Sequence, residues 1–184
     1  MRYTQNLAAI ALGAVLAVPA AYAQTIKKAD QKIENADAAA MKRLAQANLS
    51  EIDAGKAAAA KAQNPDVKQF AQKMVNDHQQ MLNELEALAK AKGVALPQSA
   101  SLKDKAQAML TERASGADFD KKYMEEMVKE HQKDAKETQD LAAKAKDPDF
   151  RAAVQKAHAK IEGHLQLAQR VVQAHGAAAG GTSK

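Results

Sequence analysis

Cysteine is absent from the 184 residues of this chain. Its absence excludes disulfide bonds, thiolate catalysis, zinc–thiolate sites and iron–sulfur clusters, because all of these need cysteine sulfur. It also excludes a lipid anchor attached through a cysteine that follows a signal sequence. Any metal site in this protein must therefore rely on donors other than thiolate.

Aromatic residues are scarce as well, at 3% of the chain. Lys and Arg together number 27 against 22 Asp and Glu, a net charge of +5, and the two signs are interleaved, as in the segment KADQKIEN. Nucleic-acid-binding surfaces typically concentrate basic residues in one patch or stripe, which this sequence does not show. The composition therefore argues against a nucleic-acid partner and indicates solvated helix faces instead.

One long apolar run stands near the N-terminus, from Leu7 to Val18. It follows the basic residue Arg2 and precedes an A-Y-A segment at 21–23, the three-part pattern of a secretory signal peptide. The run is shorter than the roughly 20 residues that a membrane-spanning helix needs. We therefore expect a signal peptide over residues 1–23, cleaved between Ala23 and Gln24. The mature chain should be periplasmic or secreted, without a membrane-spanning segment.

Glycine and proline are also few, at 8 and 4 residues, and the rest of the chain is rich in strong helix formers. No segment shows the alternation and β-branched enrichment of a strand, so the sequence predicts an all-α fold. The main breaks delimit four helices: about 37–63, 65–92, from just after SGAD to 146, and 148–175. A short helix is expected near 102–113. The domain would span 37–175, between an N-terminal extension at 24–36 and a flexible tail at 176–184.

An internal repeat relates the two halves, since NPDVKQFAQK at 64–73 resembles DPDFRAAVQK at 147–156. Each segment reads as a tight helix–helix junction, with proline at the first helical position. The segment between the second and third helices is long enough to run along a bundle of about 42 Å. The sequence therefore predicts a ferritin-like four-helix bundle of two helical hairpins with one long crossover. A plain up-down-up-down bundle is the alternative.

Three of the five histidines fall where core residues are expected. The segments MVNDHQ at 74–79 and MVKEHQ at 127–132 place His78 and His131 on apolar helix faces, and His164 lies on another. Glu51 lies near the apolar seam of the first helix. With a rise of about 1.5 Å per residue, the crossover topology brings all four to one middle layer of the bundle.

Two interpretations of this layer remain open. It is either a hydrogen-bonded cluster, with Glu51 accepting from the histidines, that fixes helix register, or a metal site of three imidazoles and one carboxylate. Such a site suits zinc, iron or copper better than calcium or magnesium. An enzyme is the less favoured hypothesis, because the sequence shows no open coordination position or access path.

Several segments resemble a family of exported bacterial proteins, domain of unknown function 4142, which belongs to the ferritin-like superfamily. They are SEIDAGKAAAAKA, NPDVKQFAQKMVNDHQQMLNEL, AKGVALP, GADFDKKYMEEMVKEHQ and IEGHLQLAQ. The resemblance extends over about 37–175 and implies a helical bundle of unestablished biochemistry. The residues that it singles out are Glu51, His78, His131 and His164, with Asp118 or Asp120, Phe119 and Tyr123.

The di-iron chemistry of true ferritins is not expected here. Di-iron bundles use Glu-x-x-His on two helices, whereas Val75 precedes His78 by three residues and Ile161 precedes His164 by three. The expected function is an exported ferritin-like protein of unestablished biochemistry, with transition-metal binding through the Glu/His layer as one hypothesis. The alternative is a structural or stress-related envelope protein in which the same layer only fixes register.

Overall fold

The computed structural model describes residues 33–101 and 114–180, with side chains to residue 174. Four helices make up most of this part: α1 (Asn35–Lys61), α2 (Pro65–Ala91), α3 (Gly116–Lys144) and α4 (Pro148–Gly180). The described residues contain no strand, and the predicted all-α class is confirmed. The expected signal peptide at 1–23 and the expected short helix at 102–113 lie outside the described residues.

The observed helix ends lie within three residues of the predicted ones, except at the C-terminus of α4, and the starts of α2 and α4 coincide with the prediction. Gly176 does not end this helix, which continues to Gly180 instead of stopping at 175. The three alanines at 177–179 have the highest helix propensity of any residue, which favours continuation past a single glycine. The flexible tail stays a prediction for residues 181–184, which lie outside the described residues.

Capped junctions start α2 and α4, as the repeat predicted. The side chain of Asn64 accepts hydrogen bonds from the backbone N–H groups of Asp66 and Val67, at 2.7 and 3.4 Å. Asp147 Oδ1 accepts from the N–H of Phe150 at 2.9 Å. These bonds satisfy donors that a helix N-terminus leaves unpaired. At the other end of α2, Gly93 adopts a positive φ of 68°, the left-handed conformation that closes many helices.

Each hairpin junction is clamped by an aspartate from the other hairpin. The buried carboxylate of Asp120, near the start of α3, accepts from the backbone N–H groups of residues 63 and 64 at 3.1 and 2.7 Å. The buried carboxylate of Asp37, near the start of α1, accepts from those of residues 146 and 147 at 2.9 and 2.7 Å. The start of α3 therefore lies at the α1–α2 junction, and the start of α1 lies at the α3–α4 junction.

The crossover follows from these clamps. Lys92, just after α2, pairs with Asp147 at 2.6 Å, so α2 ends beside the α3–α4 junction. The connection from residue 92 to 115 must run from that end of the bundle to the other, about 40 Å for helices of this length. Helix α1 packs along α2 and α3 along α4, with further packing of α2 on α4 and of α1 on α3. The predicted ferritin-like arrangement is confirmed, and the up-down-up-down alternative is wrong.

Two apolar clusters fill the bundle. One contains Phe70, Phe119 and Tyr123, and the other contains Met41 and Phe150. On α2, Met74 belongs to the first cluster and Leu82 to the second, so the layer around residue 78 lies between them. Within the part of the chain that the structure describes, no helix is long and apolar enough to cross a membrane.

Candidate metal centre

Three histidines from three helices meet in this middle layer. His78 of α2, His131 of α3 and His164 of α4 are 4%, 0% and 1% exposed. Their ring centroids are 5.3 to 5.9 Å apart. One ring nitrogen of each lies within 4.8 Å of those of the other two. The structure thus brings together the three histidines that the sequence placed on inward faces.

Two of the rings are oriented by hydrogen bonds to neutral oxygen acceptors. Asn48 Oδ1 lies 3.0 Å from His78 Nδ1, and Asn48 Nδ2 donates to the carbonyl oxygen of Leu44 at 2.8 Å. The second bond fixes the amide so that its oxygen faces His78. His131 Nδ1 lies 2.9 Å from the carbonyl oxygen of Met127. Because both partners are acceptors, each Nδ1 carries the proton.

The third ring is oriented by a carboxylate. His164 Nε2 donates to Asp77 Oδ2 at 2.7 Å, and Lys73 Nζ contacts the same oxygen at 2.7 Å. Lys160 Nζ lies 3.6 Å from the other carboxylate oxygen. Burial by itself would raise the pKa of Asp77, but the hydrogen bonds from Lys73 and His164 lower that pKa to about 2. The carboxylate is therefore ionised at neutral pH and can only accept.

The other nitrogen of each ring has no hydrogen-bond partner among the described residues. These atoms are His78 Nε2, His131 Nε2 and His164 Nδ1. In a neutral imidazole whose proton sits on the anchored nitrogen, each presents a lone pair. A buried acceptor left without a partner costs about 1–3 kcal/mol. No hydrogen bond joins one ring to another, so the rings do not form the self-satisfied cluster that a purely structural role would favour.

Burial keeps the three rings neutral. Loss of solvent lowers the pKa of His78 well below its usual value, and positive charge on His164 or His131 would lower it further. The same loss of solvent, helped by His164, lowers the pKa of His131 to about 4. It also lowers the pKa of His164, although Asp77 opposes the change. Metals bind neutral imidazole, so the three rings are in the protonation state in which they could hold a metal ion.

Glu51 is buried, but it is not part of the group of three ring nitrogens. Asn48, three residues earlier on α1, holds the position facing His78. Glu51 instead lines a cavity of about 650 Å³ whose wall also includes His78. Burial raises the pKa of Tyr123 well above its usual value, and the negative charge of Glu51 adds to that effect. The negative charge of Glu51 therefore acts on a buried residue of the bundle core.

Asn48 is the functional residue that sequence reasoning missed, although the repeat offered a signal for it. It lies 83 residues before His131, the same separation as between the junction residues Asn64 and Asp147. Asp77 precedes His78 directly in the chain but bonds to His164 of another helix. Tyr123 stacks on Phe119 and meets Phe70 edge-on, as expected for a packing residue.

Among solved structures, the chain is similar to a protein of Bacillus halodurans C-125 described as a spore coat protein. The TM-score is 0.68 at 13% sequence identity, with 81% of this chain and 93% of that chain covered. At this identity the likeness concerns the fold alone. No curated protein matches the chain.

A family model does match the sequence over most of its length. The family is described as Domain of unknown function (DUF4142), and its model matches residues 22–171. That range contains all four helix starts, both junctions and the three histidines of the middle layer. The chain therefore belongs to the DUF4142 family.

Proposed function

We propose that this protein is an exported metal-binding protein that holds one divalent transition ion between His78 Nε2, His131 Nε2 and His164 Nδ1. The observation that carries the proposal is the pattern of hydrogen bonds around the three rings. Each ring donates its proton to a fixed oxygen acceptor and leaves a buried lone pair in the shared space. Histidine ligands in metal sites are oriented by such bonds through their other nitrogen.

The donor set favours zinc, iron or copper. Imidazole nitrogen suits these ions, whereas calcium and magnesium prefer oxygen ligands. Three neutral imidazoles leave the two positive charges of the ion uncompensated inside the bundle. We assign Glu51 to offset part of this charge, because it is buried and shares a cavity wall with His78. The proposed metal site then consists of the three histidines and Glu51, the four residues that the sequence indicated.

Export rests on the sequence of residues 1–23. Its basic start, apolar run and A-Y-A end predict cleavage before Gln24. Mass analysis of the intact protein from the cell envelope should give a chain that begins at Gln24. Recovery of an envelope protein that retains Met1 would contradict export by cleavage.

Metal content tests the site directly. Protein purified without chelators or metal-affinity resin should contain about one equivalent of a transition ion, and a chelator should lower its melting temperature. His78→Leu should abolish the bound metal while the helical circular dichroism remains. His158→Leu is the matched control, because His158 is half-buried on α4 but does not belong to the group of three. Wild-type protein that binds no added zinc, cobalt or copper would leave the layer with a structural role only.

The orienting residues provide a finer test. Asp77→Ala and Asn48→Ala should each weaken metal affinity about 10- to 100-fold, since the loss of such a partner frees the ligand ring. Competition with a chromophoric chelator measures the change. Asp53→Ala removes an exposed carboxylate of α1 that lies outside the cavity and should leave affinity unaltered. Equal affinities for all three variants would show that the rings need no orientation.

A further inference from the structure

A cavity beside the histidine layer extends from His78 to exposed residues at the protein surface. Its volume is about 650 Å³, and it is lined by residues of all four helices. Its wall includes His78, whereas His131 and His164 lie outside the lining. His78 is 4% exposed, and its Nε2, which is itself buried, has no hydrogen-bond partner among the described residues. An ion in this cavity would therefore meet His78 first.

The buried and half-buried charged residues of the lining are all acidic. Glu51 is buried, and Glu84, Glu130 and Asp134 are half-buried, while the acidic residues Glu137 and Asp140 are exposed. The basic lining residues are all exposed; they are Arg43, Lys133, Lys144 and Lys156. The inner wall is therefore negative, and positive charge is confined to the rim.

We propose that this cavity is the route by which a divalent cation reaches the three histidines, with Glu51, Glu130 and Asp134 attracting it inward. The inference rests on the proposed metal site and adds how the ion enters it. A concave surface with charges of one sign concentrates ions of the opposite sign and speeds their association. Glu130 and Asp134 lie one turn apart on α3, the helix that also carries His131. The acidic side chains of the cavity wall therefore extend from the rim to the height of His131 along the bundle.

Stopped-flow uptake of Co²⁺ by metal-free protein tests the route. Glu130→Gln combined with Asp134→Asn should slow association about tenfold at low ionic strength, and the difference should shrink as salt screens the charges. The absorption spectrum of the final cobalt complex should not change. The matched control is Asp118→Asn with Glu125→Gln, which removes the same charges from exposed positions of α3 outside the cavity. Glu51 is left intact because of its assigned role beside the ion.

A variant of opposite sign completes the test. Lys133→Gln removes a positive charge from the rim and should accelerate uptake. Equal rates for the Glu130/Asp134 double variant and its control would overturn the route, and so would a changed cobalt spectrum, which would make these residues ligands. Failure of the wild-type protein to take up Co²⁺ would instead refute the metal site itself. The two failures are therefore distinguishable.

Discussion

The α1–α2 and α3–α4 hairpins carry equivalent residues at their ends but different residues at their centres. At the ends, an offset of 83 residues relates Asn64 to Asp147 and Asp37 to Asp120. Asn64 and Asp147 cap the second helix of their own hairpin, while Asp37 and Asp120 clamp the junction of the other. The repeat therefore specifies how the hairpins fold and how they lock together.

In the middle layer the same offset relates unlike residues. The equivalent pairs are Asn48 and His131, His78 and Ile161, and Met81 and His164. The first hairpin supplies one histidine and the second supplies two, so neither contains a three-nitrogen site by itself. The architecture follows the repeat, whereas the three histidines occupy positions at which the two halves of the repeat differ.

Copying residues from one hairpin into the other should produce the largest effect. His131→Asn and His164→Met introduce the first hairpin's residues, and each should weaken metal affinity at least 100-fold because a ligand nitrogen is lost. His158→Val copies Val75 in the same way but lies outside the site, so it should bind normally. Isothermal titration with Zn²⁺ compares the three variants. Retained affinity in His164→Met would show that two histidines suffice.

The stability of the metal-free protein should depend on pH because the ring of His131, which the first hairpin does not have, is buried in its neutral form. The pKa of His131 is about 4 when folded, against 6.5 ordinarily, so the unfolded chain binds more protons between these values. Stability is then fully present above about pH 6.5 and falls as pH drops toward 4, by on the order of 3 kcal/mol for His131 alone. Urea unfolding at several pH values measures the slope. His131→Asn should flatten it, and an unchanged slope would refute the neutral buried ring.

Removing Asp37 or Asp120, the two aspartates that clamp the hairpin junctions, should cost similar amounts of stability. Asp37→Ala and Asp120→Ala each leave two backbone N–H groups at a junction without their acceptor, which should cost about 2–4 kcal/mol. Asp118→Ala removes an exposed first-turn carboxylate and should cost less than about 1 kcal/mol. Chemical denaturation reports all three. A large loss for only one clamp would show that the hairpins are not locked equivalently.

Glycine replacements should produce the smallest effects, with opposite signs. A Cβ added at Gly55 would lie 2.9 Å from Val75 Cγ2 and 3.1 Å from the Ala71 carbonyl oxygen, so Gly55→Ala should destabilise by about 1 kcal/mol. Position 55 corresponds to Thr138 in the second hairpin, where that side chain contacts His158 at 3.1 Å. A Cβ added at Gly163 would have no other atom within 4 Å, so Gly163→Ala should stabilise α4 by about 0.5–1 kcal/mol. A higher melting temperature for Gly55→Ala would contradict the close α1–α2 packing, and a lower one for Gly163→Ala would contradict the open position on α4.

The sequence by itself determined the helices, their capped junctions and the three inward histidines. These depend on local chemistry and on the helical period, as with Asn64 and Pro65 at one junction and Asp147 and Pro148 at the other. The height of each histidine along the bundle followed from the rise per residue once the crossover was assumed.

Only the tertiary structure decided which residue of α1 faces His78 and which nitrogen of each ring faces inward. Asn48 and Glu51 are three residues apart, about 60° around the helix and 4.5 Å along it, so periodicity cannot choose between them. The choice depends on how α1 is rotated against α2, which packing fixes, for example through the close approach at Gly55, where an added Cβ would lie 2.9 Å from Val75 Cγ2. Likewise, the tautomer of His164 depends on Asp77, which lies 87 residues away in the chain and reaches it only after α2 packs against α4.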